Sequence, residues 1–301
     1  MAEARVGLSV GYAAEGLADV AGALDALESL GLDSVELFLP ALGVVVGGRV
    51  RPAALRALRA ACSGRPFGIT LHGPLSGDLG DPDHGALHRD VARAGLEAAA
   101  EIGAPVLVQH ATVLRRPEPG AAERAQALEI EALAALAPEA AAAGCVLAVE
   151  TLFARRDEWT ASPAELAAML RAVDHPSVGA TIDFSHAALH AAGRGADCLA
   201  ELAPLAPFAR HMHVHDSFGR PAPFRPWSRG DAVAFGFGDL HLPPGAGSLP
   251  WDDFAALSIP AGCVANLELD ARWRDEWPAA IAWTRRWAAR LGAVVAARRR
   301  A

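Results

Sequence analysis

Short runs of apolar and β-branched residues recur eight times along the chain: Arg5 to Val10, Ser34 to Phe38, Phe67 to His72, Pro105 to His110, Cys145 to Glu150, Val178 to Asp183, Arg210 to His215 and Cys263 to Glu268. Between them lie Ala- and Leu-rich stretches with helical spacing, among them Gly16 to Leu30, Ala53 to Ala61, His84 to Ile102, Ala121 to Ala143 and Ser162 to Val173. Strand followed by helix, eight times over, predicts an α/β fold: a (β/α)8 TIM barrel of parallel strands with the helices outside. Runs such as Val106-Leu107-Val108 suit strands buried on both faces. Boundary signals agree. Ser162-Pro163 with Glu165 predicts a capped helix start, and Gly31, Gly103 and Gly144 predict helix ends just before strands. No linker divides residues 1–301, so a single domain is expected. The Gly-, Pro- and aromatic-rich segment from Phe218 to Gly247 is longer than an ordinary connection and predicts a lid after the seventh strand.

Polar residues fall where such a barrel would use them. The third run ends in His72, the fourth in His110, the fifth in Glu150, the sixth in Asp183 with His186 just beyond; the seventh contains His213, and the eighth ends in Glu268. The C-terminal ends of all barrel strands meet at one mouth, so these residues converge. Carboxylates and imidazoles crowded together are reconciled by a divalent cation, which keeps the acids ionised and the imidazoles neutral. Asp239 and His241, two apart in a segment read as extended, point the same way and suit joint ligation with His186. His211 lies one step deeper than His213. His215 lies one step nearer the mouth, as a group behind the ligands or against substrate. Glu36 faces either the mouth or the barrel wall. His84, His88, His175 and His190 read as solvated.

Composition narrows the chemistry. The 301 residues are 52% hydrophobic and 21% charged, with a net charge of −8, which argues against a general nucleic-acid coat. Lysine is absent and all 27 basic residues are arginine, which excludes Schiff-base and P-loop chemistry. Catalysis must rest on carboxylates, imidazoles or metals. Cys62, Cys145, Cys198 and Cys263 form no CxxC pair and read as buried thiols. No long apolar span or leader is evident, which predicts a soluble, cytoplasmic protein without membrane partners. In the lid segment, Arg220, Arg225 and Arg229 alternate with aromatics. They either clamp a substrate phosphate or carboxylate or stand solvated over a lid packed on itself. Arg115-Arg116, Arg155-Arg156 and Arg298 to Arg300 read as solvated, the first two pairs bordering the mouth. Trp273, Trp277, Trp283 and Trp287 read as packing on the final helix or as a homodimer contact.

The motifs LHGPL at His72, VLVQHA at His110, AVET at Glu150, TIDFSH from Thr181, HVHDS from His213, GDLHLPPGAG around Asp239 and LELD at Glu268 resemble, in strand order over the whole chain, the xylose isomerase-like TIM barrels. That group includes sugar-phosphate isomerases and epimerases and the endonuclease IV enzymes of AP endonuclease family 2. The resemblance implies a single-metal site at Glu150, Asp183, His213 and Glu268, with Glu150 and Glu268 as catalytic acid/base groups. The endonuclease IV pattern adds His72 and His110 sharing Glu150, and His186, Asp239 and His241 around a further ion. One to three ions of zinc or manganese are therefore expected. The implied activity is isomerisation or epimerisation of a small sugar or phosphorylated substrate; the alternative is a multinuclear phosphoester hydrolase. Two departures speak against DNA as substrate: Leu75 stands where the nuclease pattern has tyrosine, and the exit of the second strand, Glu36 to Gly43, lacks arginine.

Overall fold

The computed structural model of the chain describes residues 5–10 and 16–291; the Arg298 to Arg300 run lies outside them. Eight strands close into a parallel barrel: β1 (Arg5–Ser9), β2 (Ser34–Phe38), β5 (Gly68–His72), β6 (Val106–His110), β8 (Val146–Glu150), β10 (Val178–Asp183), β11 (Ala209–Val214) and β12 (Val264–Leu267). Two short ladders outside it, β3 (Val45–Val46) with β4 (Arg49–Val50) and β7 (Val113–Arg115) with β9 (Glu158–Thr160), carry no sequence signal longer than three residues. Helices α1 (Leu17–Leu27), α2 (Pro52–Cys62), α3 (Gly85–Ile102), α4 (Ala121–Ala142), α5 (Pro163–Val173), α6 (Phe184–Arg194) and α10 (Trp277–Ala288) surround the barrel, with shorter α7 (Cys198–Leu202), α8 (Arg229–Phe235) and α9 (Trp251–Phe254) between them. No helix among the described residues is long and apolar enough to cross a membrane.

Local chemistry sets the boundaries. Ser162 accepts from the Glu165 amide and the Glu165 side chain returns the bond to the Ser162 amide, closing a capping box with Pro163 in the first turn. Gly103 ends α3 at φ 71°, a left-handed conformation that a side chain would strain, and turns the chain into β6.

Alternation along the strands divides the interior. Val6, Leu8, Val35, Leu37, Leu71, Leu107, Leu147, Ile182, Met212, Val214 and Leu267 join the helices in the main apolar core. The opposite faces enclose a different population: Ser9, Glu36, Thr70, Thr181, His211 and Asn266 are all buried, beside a small apolar cluster of Val106, Val108 and Ala148. The barrel centre is thus largely polar on one half, and that polar half leads into the site.

The segment between β11 and α9 builds its own small core of Ala232, Phe237, Leu240 and Leu242, with Phe218, Val233 and Trp273 packed on it. Its attachment is Asp216, a buried carboxylate that accepts from the amides of Ser217 (2.9 Å), Gly245 (2.7 Å) and Leu249 (3.3 Å) and from the Trp251 indole (3.1 Å).

Several expectations change. His190 is buried rather than solvated, with neither ring nitrogen partnered, because α6 turns that face against its neighbours. Cys145 and Cys263 are buried, but Cys62 and Cys198 are only half-buried, since both sit at helix ends. Trp277 and Trp287 pack into the core, and Trp283 stacks on Trp287 at 6.2 Å. Trp273 does not share their helix: it lies in a 3-10 segment with a kinked backbone and packs on the small core of Ala232, Phe237, Leu240 and Leu242.

Candidate metal centre

The residues that end the strands meet at the barrel mouth. His72 closes β5, His110 β6, Glu150 β8 and Asp183 β10, while His213 is the penultimate residue of β11 and Glu268 follows β12. Register explains the meeting: His110 pairs with Glu150 across β6 and β8, and Asp183 with His213 across β10 and β11. Asp183 also caps α6, accepting from the His186 amide at 2.7 Å, which fixes His186 on the first turn above the strand end.

Glu150 is the hub. Its Oε2 lies 3.2 Å from His72 Nε2 and 3.4 Å from His110 Nε2, and its Oε1 lies 3.0 Å from His213 Nδ1 and 3.4 Å from His186 Nδ1. Glu268 Oε2 and Asp183 Oδ2 approach the same His213 Nδ1, at 3.4 and 3.7 Å. Beside this lies a second gathering. Asp239 Oδ2 is 2.6 Å from His241 Nε2 and 3.4 Å from His186 Nε2, and His215 Nδ1 is 3.8 Å from Asp239 Oδ1. The His215 and His241 rings stack at 4.2 Å.

The extended reading of the Asp239–His241 segment does not hold. His241 has φ 49°, so the two side chains meet because the chain turns there rather than by strand alternation. His215, read as a group behind the ligands or against substrate, stands among the possible ligands: with Asp239 and His241 it offers atoms within 4.8 Å of one another. The same spacing holds for His72, His110 and Glu150, and for Glu150, Asp183, His213 and Glu268.

Ring orientation tests whether a cation fits. His72 Nδ1 donates to the Gly73 carbonyl at 2.8 Å, His241 Nδ1 to the Glu268 carbonyl at 2.8 Å, and His186 Nδ1 to the Thr151 carbonyl at 3.0 Å. His215 Nε2 donates to Asp183 Oδ2 at 2.9 Å and His213 Nε2 to Glu36 Oε2 at 3.3 Å. Each ring therefore turns its remaining nitrogen toward a carboxylate, lone pair against lone pair unless a proton or a cation stands between. His215 Nδ1 is buried without a hydrogen-bond partner, in the position of a donor atom awaiting a cation. Imidazole nitrogen with carboxylate oxygen is the donor set of zinc and manganese, and the fixed outer hydrogen bonds are those that orient ligating histidines. The residues fit such an ion.

Electrostatics in the protein alone point the same way. Burial opposes ionisation of Glu150, but His213 and His110 outweigh it and hold the carboxyl well below the usual range. Burial likewise disfavours protonated His72, yet the Glu150 hydrogen bond and charge carry it to about 9. His213 is raised well above its ordinary value, Glu150, Glu268 and Glu36 overcoming burial. Asp239 is pulled well down by His241, His186 and His215 against burial, and His241 rises to about 9 through Asp239 and Glu268. In the protein alone, His72, His213 and His241 thus hold a proton more strongly than a free imidazole does.

Glu36, which sequence leaves between mouth and wall, points into the barrel beneath His213. Burial pushes its carboxyl up, but His213, His211 and His72 together bring it to about 2. His211, deeper still, falls to about 4, chiefly through burial. Of the arginines in the segment after β11, Arg220 lies over the Phe218 ring at 5.5 Å, Arg229 Nε is 3.0 Å from Asp270, and Arg225 is exposed. Arg115 and Arg155 are exposed and face Glu158 at 3.9 Å each.

Known proteins share this architecture. D-psicose 3-epimerase, in a structure with D-fructose, aligns over 95% of this chain and 99% of its own with a TM-score of 0.70 and 15% identity. A D-tagatose 3-epimerase-like protein aligns over 93% and 96% at a TM-score of 0.68 and 17% identity. The TTHB071 protein of Thermus thermophilus, soaked with zinc chloride, aligns over 95% and 97% at a TM-score of 0.63 and 23% identity. Identities this low establish shared fold and nothing finer. Curated protein sequences returned no match. A family model described as xylose isomerase-like TIM barrel matches residues 24–287, from the first helix through the last. Strand order and family match agree, and the chain belongs to the xylose isomerase-like TIM barrel family.

Proposed function

We propose that the barrel mouth is the active site of a metal-dependent isomerase or epimerase acting on a small sugar or sugar phosphate. The observation that carries this reading is the convergence of Glu150, Asp183, His213 and Glu268 from four strands, their donor atoms within 4.8 Å of one another. These four would hold a zinc or manganese ion; His72 and His110 with Glu150, and His186, Asp239 and His241 with His215, are further ligand groups. When bound, such an ion polarises substrate oxygens and makes the adjoining carbon more acidic.

The chain supplies the proton handling. Glu150 and Glu268 approach the same His213 nitrogen, at 3.0 and 3.4 Å, from different strands. Glu150 is enclosed, whereas the Glu268 side chain is 24% exposed and so has access to what enters the mouth. One carboxylate, ionised, accepts a proton from carbon on one face of a substrate, and the other, protonated, gives its own proton to the opposite face, so that the centre inverts and the two groups exchange protonation states. His186 packs against the Phe153 ring at 5.2 Å. The epimerases among the solved structures of the same fold support the substrate class.

One observation favours a second reading. Several overlapping ligand groups exceed what proton transfer needs, and clustered metals suit phosphoester hydrolysis. Solvent exchange separates the two. With zinc or manganese and a panel of ketoses and ketose phosphates in deuterium oxide, deuterium should enter one substrate carbon, and Glu150→Gln should abolish it. No exchange across the panel, together with cleavage of abasic-site DNA lost in Glu268→Gln, would establish the hydrolase instead.

A further inference from the structure

Of the five rings whose outer hydrogen bonds are fixed, His72, His186 and His241 lean on backbone carbonyls and His215 leans on Asp183, itself a candidate ligand. His213 is different. Its outer nitrogen, Nε2, donates to Glu36 Oε2 at 3.3 Å; Glu36 comes from β2, below the mouth, where the same oxygen lies 3.6 Å from His211 Nε2 and where Glu36, His211 and His213 also bring ligand-type atoms within 4.8 Å of one another.

The surroundings of Glu36 are built to hold it in one place. Its other oxygen, Oε1, accepts from the Ser9 hydroxyl of β1 and from the Asn266 amide of β12 at 3.2 Å. Asn266 also donates to Ser9 at 3.3 Å, closing a three-sided bracket around the carboxylate. Asn266 reaches this position because Gly7 on the paired strand has no side chain: a Cβ there would stand 2.6 Å from Asn266 Oδ1. Glu36, Ser9, Asn266 and His213 are all fully or nearly fully buried, so no water competes for the carboxylate at the surface. A buried carboxylate is costly unless its oxygens are satisfied, and three strands are arranged to satisfy this one.

We infer that Glu36 is a positioning residue for the metal centre: by accepting the His213 Nε2 proton it fixes the tautomer and the ring, so that Nδ1 presents its lone pair between Glu150, Asp183 and Glu268. The inference rests on the metal-dependent reading above. A carboxylate behind a ligating imidazole raises the basicity of the ligand more than a carbonyl does, and removing such a partner typically weakens metal binding roughly 10- to 100-fold. Glu36 touches neither substrate nor ion in this role.

Zinc titration of the full chain against a chromogenic chelator, on the parent protein and on Glu36→Gln, Glu36→Ala and His213→Ala, tests it. The binding step that His213→Ala removes is the one to follow. Glu36→Ala should weaken that step about 10- to 100-fold, Glu36→Gln by less, with other steps unchanged. The parent protein offers a second readout free of folding effects: nitrogen-15 spectra of the zinc-bound chain should show His213 protonated at Nε2. An unchanged affinity in Glu36→Ala, or a proton on Nδ1, would overturn the positioning role while leaving the metal reading intact. If His213→Ala removes no binding step from a chain that takes up no zinc, the metal reading itself fails.

Discussion

Glu129 is a carboxyl on the inner face of α4, 1% exposed, whose Oε1 accepts from the Thr112 amide at 3.3 Å just beyond His110. Burial raises its pKa from 4.5 to about 7, with the nearby Asp78 charge adding to the rise and Thr112 opposing it. The sign follows from linkage. Between those two values the unfolded chain has released this proton and the folded chain still holds it, so the folded state loses stability as pH rises through the interval and the loss then levels off. From 4.5 to about 7 the cost is ~3 kcal/mol at about 1.4 kcal/mol per pH unit. Glu129→Gln keeps the acceptor for Thr112 and removes the ionisation. Its stability relative to the parent should therefore grow by ~3 kcal/mol between about pH 4.5 and about pH 8. Urea unfolding of both proteins across that range, followed by tryptophan fluorescence, measures the gap. A gap that stays constant with pH would refute the assignment of a buried neutral acid, and a gap that shrinks would reverse its sign.

Other perturbations probe the site and its supports. Asp216→Ala strands the four donors that attach the segment between β11 and α9, and should cost about 3–5 kcal/mol in unfolding free energy, with faster amide exchange over residues 242–251; unchanged exchange would remove Asp216 as the anchor. In chelator-treated protein, His72 and His241 have folded values of about 9, so their stabilisation is fully present below about pH 6.5 and is lost as pH rises through about 9. Melting temperature should fall over that window, and zinc should reverse the trend because ligation needs deprotonated imidazoles. A flat profile in the metal-free protein would contradict the charge pairing described here.

Fold and candidate site positions are legible in the sequence to different degrees for a physical reason. The barrel is a repeat of local signals, and each strand announces itself through its own apolar run; every run coincides with its strand to within one residue at each end, and the last strand stops one short, leaving Glu268 just outside β12. The C-terminal ends of parallel barrel strands all face one mouth, so His72, His110, Glu150 and Asp183 can be named before the register that pairs them is known. Facing and depth are another matter. Glu36 cannot be placed from sequence because its side chain is oriented by β1 and β12, the latter far away along the chain, although a lone acid in an otherwise apolar strand is a signal. His215 becomes a neighbour of Asp239 and His241 only through the turn at His241, which no pattern announces. His190 on α6 and Trp273 in the 3-10 segment likewise depend on packing that periodicity does not carry.

In the proposed function, the imidazoles and carboxylates at the mouth share a divalent cation. Elemental analysis of the purified chain after incubation with zinc or manganese and gel filtration tests it most directly. The predicted result is one to three tightly held ions per chain, with the Glu150 hub essential to them, so that Glu150→Gln loses most of the bound metal. A chain that leaves the column metal-free, at the same melting temperature with or without the ions, would contradict it.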